Sequence, residues 1–97
     1  MSIVISPKIR DKLLAKHNVT QEEVEQCFAN RNGKCIFDIR EEHTTGNPTL
    51  WFIAETYYGR KLKVAFVSEN GNNYVRTAYE PSEATIKNYL DHGGGVI

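Results

Sequence analysis

Neither sign of charge prevails in this chain, whose 12 Lys and Arg offset 12 Asp and Glu across 97 residues. A protein that holds nucleic acid by bulk charge is basic, so any such role here must rest on a local patch. No apolar run nears the roughly 20 residues of a membrane span, and no signal-peptide pattern opens the chain, so a cytoplasmic protein is expected. Two cysteines, Cys27 and Cys35, are too few for a disulfide framework or a zinc site and are expected to be reduced. Cys27 falls in a helical pattern, where it reads as a small buried hydrophobe. The three histidines, His17, His43 and His92, lack metal-ligand spacing, and no glycine-rich phosphate loop, nucleophile elbow or Ser/His/Asp signature is present. No metal and no cofactor is therefore expected. Repeats and low-complexity tracts are absent too. That leaves a single domain over 1–92, with Gly93-Gly94-Gly95 releasing a flexible tail at 93–97.

What is present is a chain of start, stop and turn signals. Ile3-Val4-Ile5 is a short strand candidate, and Ser6-Pro7 supplies an N-cap with proline at the first helical position. Ile9, Leu13 and Leu14 give helical spacing, and Asn18 can close that helix. Thr20 with Glu23 forms a capping box opening a second helix through about Asn30, with Val24, Cys27 and Phe28 as its buried stripe. Gly33 is expected to end it in a left-handed cap. A first meander strand is expected over 34–40, then a polar loop over 41–48. Three further strands follow, over 49–56, 61–67 and 73–79, joined at Tyr57-Tyr58-Gly59-Arg60 and at Asn70-Gly71. Pro81 and Ser82 start a last helix with Ile86, Tyr89 and Leu90 as its contacts. The order β-α-α-β-β-β-β-α implies an α+β fold, a small antiparallel sheet with helices on one face.

Asn70-Gly71 as a type I′ turn pairs Val67 with Tyr74, Ala65 with Arg76 and Lys63 with Ala78. These six share a face, which gains Phe52 and Ala54 across the Tyr58-Gly59 turn. Leu62, Val64, Phe66, Val75, Thr77 and Tyr79 take the other, apolar enough for the core. The first face sets Lys63, Tyr74 and Arg76 among alanines. Long cations beside an aromatic suit a phosphate with a base stacked nearby. The plainer alternative is a solvated outer face of a one-sided sheet. His17, after Lys16 at a helix end, and the Arg40-Glu41-Glu42-His43 loop are further acid/base candidates.

Three segments together resemble BrnT-type toxins. Lys16-His17-Asn18-Val19-Thr20-Gln21-Glu22-Glu23 resembles their Lys-His-Gly-Val-Ser/Thr-x-Glu-Glu opening. Arg40-Glu41-Glu42-His43-Thr44 is similar to their Asp-Arg-Glu-His-Ser segment. The run from Thr56 to Val64 resembles their Thr-x-x-Gly-Arg-x-Leu-x-Val hairpin, and Thr77-Ala78 stands where they have Ser-Ala. The family continues Ser-Ala with arginine, where this chain has Tyr79. The resemblance implies a RelE-like fold and the toxin of a bacterial toxin–antitoxin pair, a ribonuclease working with cationic and polar side chains.

Carried onto matching positions, it points to Lys16, His17, Glu41, His43, Arg60 and Lys63. Arg76, His43, His17 and Tyr79 are then the expected catalytic groups, with Lys63, Arg60, Tyr74, Lys16 and Glu41 binding substrate. The expected partners are RNA and a cognate antitoxin. Two alternatives stay open: a non-catalytic interaction module that kept the fold, and a nucleotide or ADP-ribose binder.

Overall fold

A computed structural model describes residues 2–37 and 48–92. Its elements are β1 (Ser2–Val4), α1 (Pro7–His17), α2 (Gln21–Ala29), β2 (Ile36–Phe37), β3 (Thr49–Glu55), β4 (Lys61–Glu69), β5 (Asn72–Tyr79) and α3 (Glu83–Asp91). The α+β class and the element order match the sequence expectation. The strands form one sheet in the order β1-β5-β4-β3-β2.

Local chemistry explains the helix ends. Ser6 accepts the Ile9 N–H, Pro7 opens α1, and Asn18 closes it in the left-handed region at φ 52°. At α2 both halves of the Thr20–Glu23 capping box form, satisfying donors that a helix start leaves unpaired. The other end departs from expectation. Asn30, at φ −92°, caps α2, and Gly33 is not among the residues of positive φ. The Asn30 side-chain amide donates to the Glu55 carbonyl at 2.9 Å, tying the helix end to β3. Ser82 caps α3 by accepting the Thr85 N–H.

Two features of the sheet refine the expected picture. β1 pairs with β5 in parallel while every other ladder is antiparallel, so the sheet is mixed. The helices also occupy both faces. Phe28 of α2 meets Phe52 and Phe66 edge-on. Tyr89 of α3 lies against Trp51, whose side chain alternates to the face opposite Phe52. The larger core, with Leu13, Val24, Cys27, Phe52, Leu62, Val64 and Ala78 all buried, fills the α2 side.

The register departs from expectation in two places. Asn70 and Gly71 do sit at φ 53° and 81°, as a type I′ turn requires, and Val67 does face Tyr74. Beyond Phe66–Val75 the ladder shifts: Ala65 faces Thr77 and Lys63 faces Tyr79. Arg76 is the extra residue of a β-bulge. The β3–β4 loop is also one residue longer than a two-residue turn. The Thr56 N–H donates to the Arg60 carbonyl at 2.8 Å, with Gly59 at φ 84° in the position that only glycine takes without strain. Hence Trp51 faces Ala65 and Ile53 faces Lys63, while Phe52 and Ala54 pair with Val64 and Leu62 in the core layer. Ala78 joins the core, and Thr77 and Tyr79 leave it.

Residues 38–47 and 93–97 lie outside the described set. The expected strand residues 38–40, the loop with Glu41 and His43, and the tail therefore lie beyond it.

Candidate functional site

The register collects a row of side chains at one end of the α3-side face. Lys63 lies at its centre, 7% exposed. Its Nζ is 4.5 Å from the Trp51 ring centroid and 5.7 Å from that of Tyr79. Tyr79 in turn meets His17, at the last turn of α1, with ring centroids 5.5 Å apart. Among the described residues no carboxylate lies within ion-pairing distance of Lys63. A buried ammonium is costly unless compensated, and a desolvated aromatic face returns about 2 kcal/mol, which offsets part of that cost. A phosphate oxygen would supply the missing counter-charge in a site where low dielectric strengthens the contact. The half-buried Tyr79 and His17 set a phenol ring and an imidazole side by side, residue types that can both carry a proton.

Arg60 stands at the edge of this row and holds the chain together. Its main chain is fixed by Thr56, whose Oγ1 accepts the Arg60 N–H at 3.1 Å. Nη1 donates to the Asn18 carbonyl at 2.8 Å and to both Glu23 carboxylate oxygens, and Nη2 donates to the His17 carbonyl at 3.1 Å and to Glu80 at 3.2 Å. Burial works against the charges of both Glu23 and Arg60. Their mutual hydrogen bonds and attraction, with the Thr20 N–H on Glu23, outweigh it and leave Glu23 below its ordinary range and Arg60 above. Cys27 is inert by contrast, pushed up to about 12 by burial and the nearby Glu23 charge, partly offset by Arg60.

Of the residues expected to bind or act, the structure brings together His17, Lys63 and Tyr79, with Arg60 adjoining. Lys16 is exposed beside His17. Arg76 is exposed on the bulge, and Tyr74 is at the far end of β5, its hydroxyl near the Asn72 amide. The expected Lys63–Tyr74–Arg76 cluster is thus replaced by a Lys63–Tyr79–His17 cluster. Glu41 and His43 lie outside the described residues. Sequence reasoning missed Trp51, Glu23 and Glu80. A three-residue loop at Tyr57-Tyr58-Gly59 would have placed Trp51, the only tryptophan, beside Lys63. Among the described residues no three metal-ligating side chains converge, and no helix is long and apolar enough to cross a membrane.

No protein-family model and no curated protein matches the sequence. Among solved structures, the chain is similar to the Brucella abortus ribonuclease toxin BrnT, with a TM-score of 0.61 and 19% identity. The match covers 86% of this chain and 99% of that one. At that identity the likeness speaks to architecture: the chain has a BrnT-like fold.

Proposed function

We propose that this protein is a metal-independent endoribonuclease of the BrnT and RelE-like kind, neutralised in the bacterial cytoplasm by a cognate antitoxin protein. The observation that carries the reading is the buried Lys63 ammonium, held by Trp51 and Tyr79 with His17 adjacent. The BrnT-like fold supports it. Lys63 holds the scissile phosphate and stabilises the charge that builds on its oxygens in the transition state. The 2′-oxygen attacks phosphorus, forming one P–O bond as the P–O5′ bond breaks. An imidazole removes the 2′-hydroxyl proton, and an acid returns one to the leaving 5′-oxygen. His17 and the Tyr79 hydroxyl fill these roles, with His43 a second imidazole in the reading. Lys16 and Arg76, both exposed, extend the hold on the RNA backbone, and Tyr74 and Glu41 belong to its outer contacts.

The test is cleavage of a single-stranded RNA with chelator present, comparing the wild type with Lys63→Ala, His17→Ala and Tyr79→Phe. Cleavage by the wild type to a 2′,3′-cyclic phosphate and a 5′-hydroxyl, lowered by each substitution, is the expected result. A wild type as inert as Lys63→Ala refutes the nuclease.

One observation favours a second reading, a non-catalytic interaction module. Tyr57 and Tyr58 are 66% and 96% exposed at the β3–β4 tip. The Gln26 side chain pins that tip by accepting the Tyr57 N–H at 3.0 Å. Rigid exposed aromatics are common anchors for a protein partner. Growth arrest on expression, relieved by a co-expressed antitoxin and abolished by Lys63→Ala, would argue against a binding role alone.

A further inference from the structure

We propose that Arg60 is a positioning residue, a clamp that brings His17 and Tyr79 together by holding the two chain segments that carry them; this rests on the nuclease reading of that site. One guanidinium takes the Asn18 carbonyl through Nη1 and, through Nη2, both the His17 carbonyl and the Glu80 carboxylate, one residue beyond Tyr79. Glu23 closes the set at the start of α2. The anchored segments lie 20 to 43 residues away in sequence. The mount itself is stiff: the Arg60 N–H and carbonyl are both bonded to Thr56, and Gly59 fixes the turn before it.

The geometry demands arginine. A planar fork can address two carbonyls and two carboxylates at once, whereas a lysine ammonium is a single point that reaches fewer of them. With both terminal nitrogens taken up by acceptors of this chain, the guanidinium acts through the groups it holds rather than on RNA. Without it the C-terminal turn of α1 and the exit of β5 keep their own ladders. They lose the shared tie that sets the 5.5 Å approach of the His17 and Tyr79 rings. Displacements of about 1 Å between reacting groups can cost on the order of 100-fold in rate.

The experiment pairs a structural readout with a kinetic one in Arg60→Ala, Arg60→Lys and Glu80→Ala. In the wild type, nuclear Overhauser contacts connect the His17 and Tyr79 ring protons. They fade in all three variants while the β4–β5 cross-strand contacts persist. With an RNA oligonucleotide, kcat falls by about 10- to 100-fold and KM moves by less than about twofold. Millimolar guanidinium restores part of the loss in Arg60→Ala but none in Lys63→Ala. A raised KM at unchanged kcat would instead make Arg60 a substrate contact and overturn the clamp. Intact His17–Tyr79 contacts in folded Arg60→Ala would overturn it as well. Should Arg60→Ala fail to fold, Glu80→Ala decides, since Glu80 is largely exposed and its loss frees only the Tyr79 arm. A wild type that cleaves nothing refutes the nuclease and leaves the ring-contact measurement to judge the clamp by itself.

Discussion

Lys63 concentrates the cost and the use of this site in one side chain. Enclosing an ammonium between two rings gives up hydration that the rings only partly replace. Lys63→Met, similar in length and uncharged, is therefore expected to keep or raise stability by about 1 kcal/mol, read as the denaturant midpoint. RNA cleavage in the same variant should fall by roughly 100- to 1,000-fold, the usual scale for losing one transition-state stabiliser. A variant that loses stability and keeps activity would place Lys63 in the fold and not in the chemistry.

Glu23 gives a second prediction at this scale. Burial would lift its carboxyl, but the Thr20 N–H and Arg60 hold it below its ordinary value of 4.5. A depressed carboxylate adds stability that is complete above 4.5 and is lost as pH falls through the lower folded value. Chemical unfolding of the wild type and Glu23→Gln should thus differ at neutral pH and converge in acid; an equal gap at both would show that Glu23 contributes by shape alone. His17 and Lys63 could be picked out by residue type, and Tyr79 through the resemblance alone. Their meeting could not, because one residue of register decides whether Tyr79 sits beside Lys63 or under the helices.

At the scale of the element, the helix starts were legible, and the ladder only from the Asn70-Gly71 turn to Val67–Tyr74. Ser6-Pro7, Thr20 with Glu23, and Ser82 act through atoms within three residues, so the sequence displays both partners of each bond. The bulge at Arg76 has no such mark: it takes no glycine and shows only in its result, Ala78 in the core and Tyr79 outside it. The Gly59 turn misleads for a related reason, since Tyr58-Gly59 suits a two-residue loop until the Thr56–Arg60 pair fixes three residues between them. Paired cysteines test the shift directly in a background with Cys27 and Cys35 replaced by alanine. Ala65→Cys with Thr77→Cys should form a disulfide on mild oxidation, because directly opposed residues of antiparallel strands have Cα atoms about 4.5–5.5 Å apart, within the span a disulfide bridges. Ala65→Cys with Arg76→Cys should stay reduced. The reverse outcome would restore an unbroken ladder and return Tyr79 to the core.

At the scale of the whole molecule, zero formal charge sets how an RNA would be held under the proposed nuclease reading. With acidic and basic residues balanced, the long-range field supplies little steering, and affinity must come from the few cations at the site and from stacking. Lys63, with Lys16 and Arg76 beyond it, offers contacts for about two or three phosphates, each releasing roughly 0.7 counterion from a single strand. The logarithm of the RNA association constant should therefore fall against the logarithm of salt with a slope of about −1.5 to −2. Lys63→Met should flatten that slope by about 0.7, whereas an Arg60 that only clamps should leave it unchanged in Arg60→Ala. A wild-type slope steeper than about −4 would require a broad basic surface, which a balanced composition does not provide. Binding that ignores salt altogether would shift the weight to Trp51, Tyr79 and the exposed Tyr57–Tyr58 tip, making this face a stacking surface without a phosphate seat.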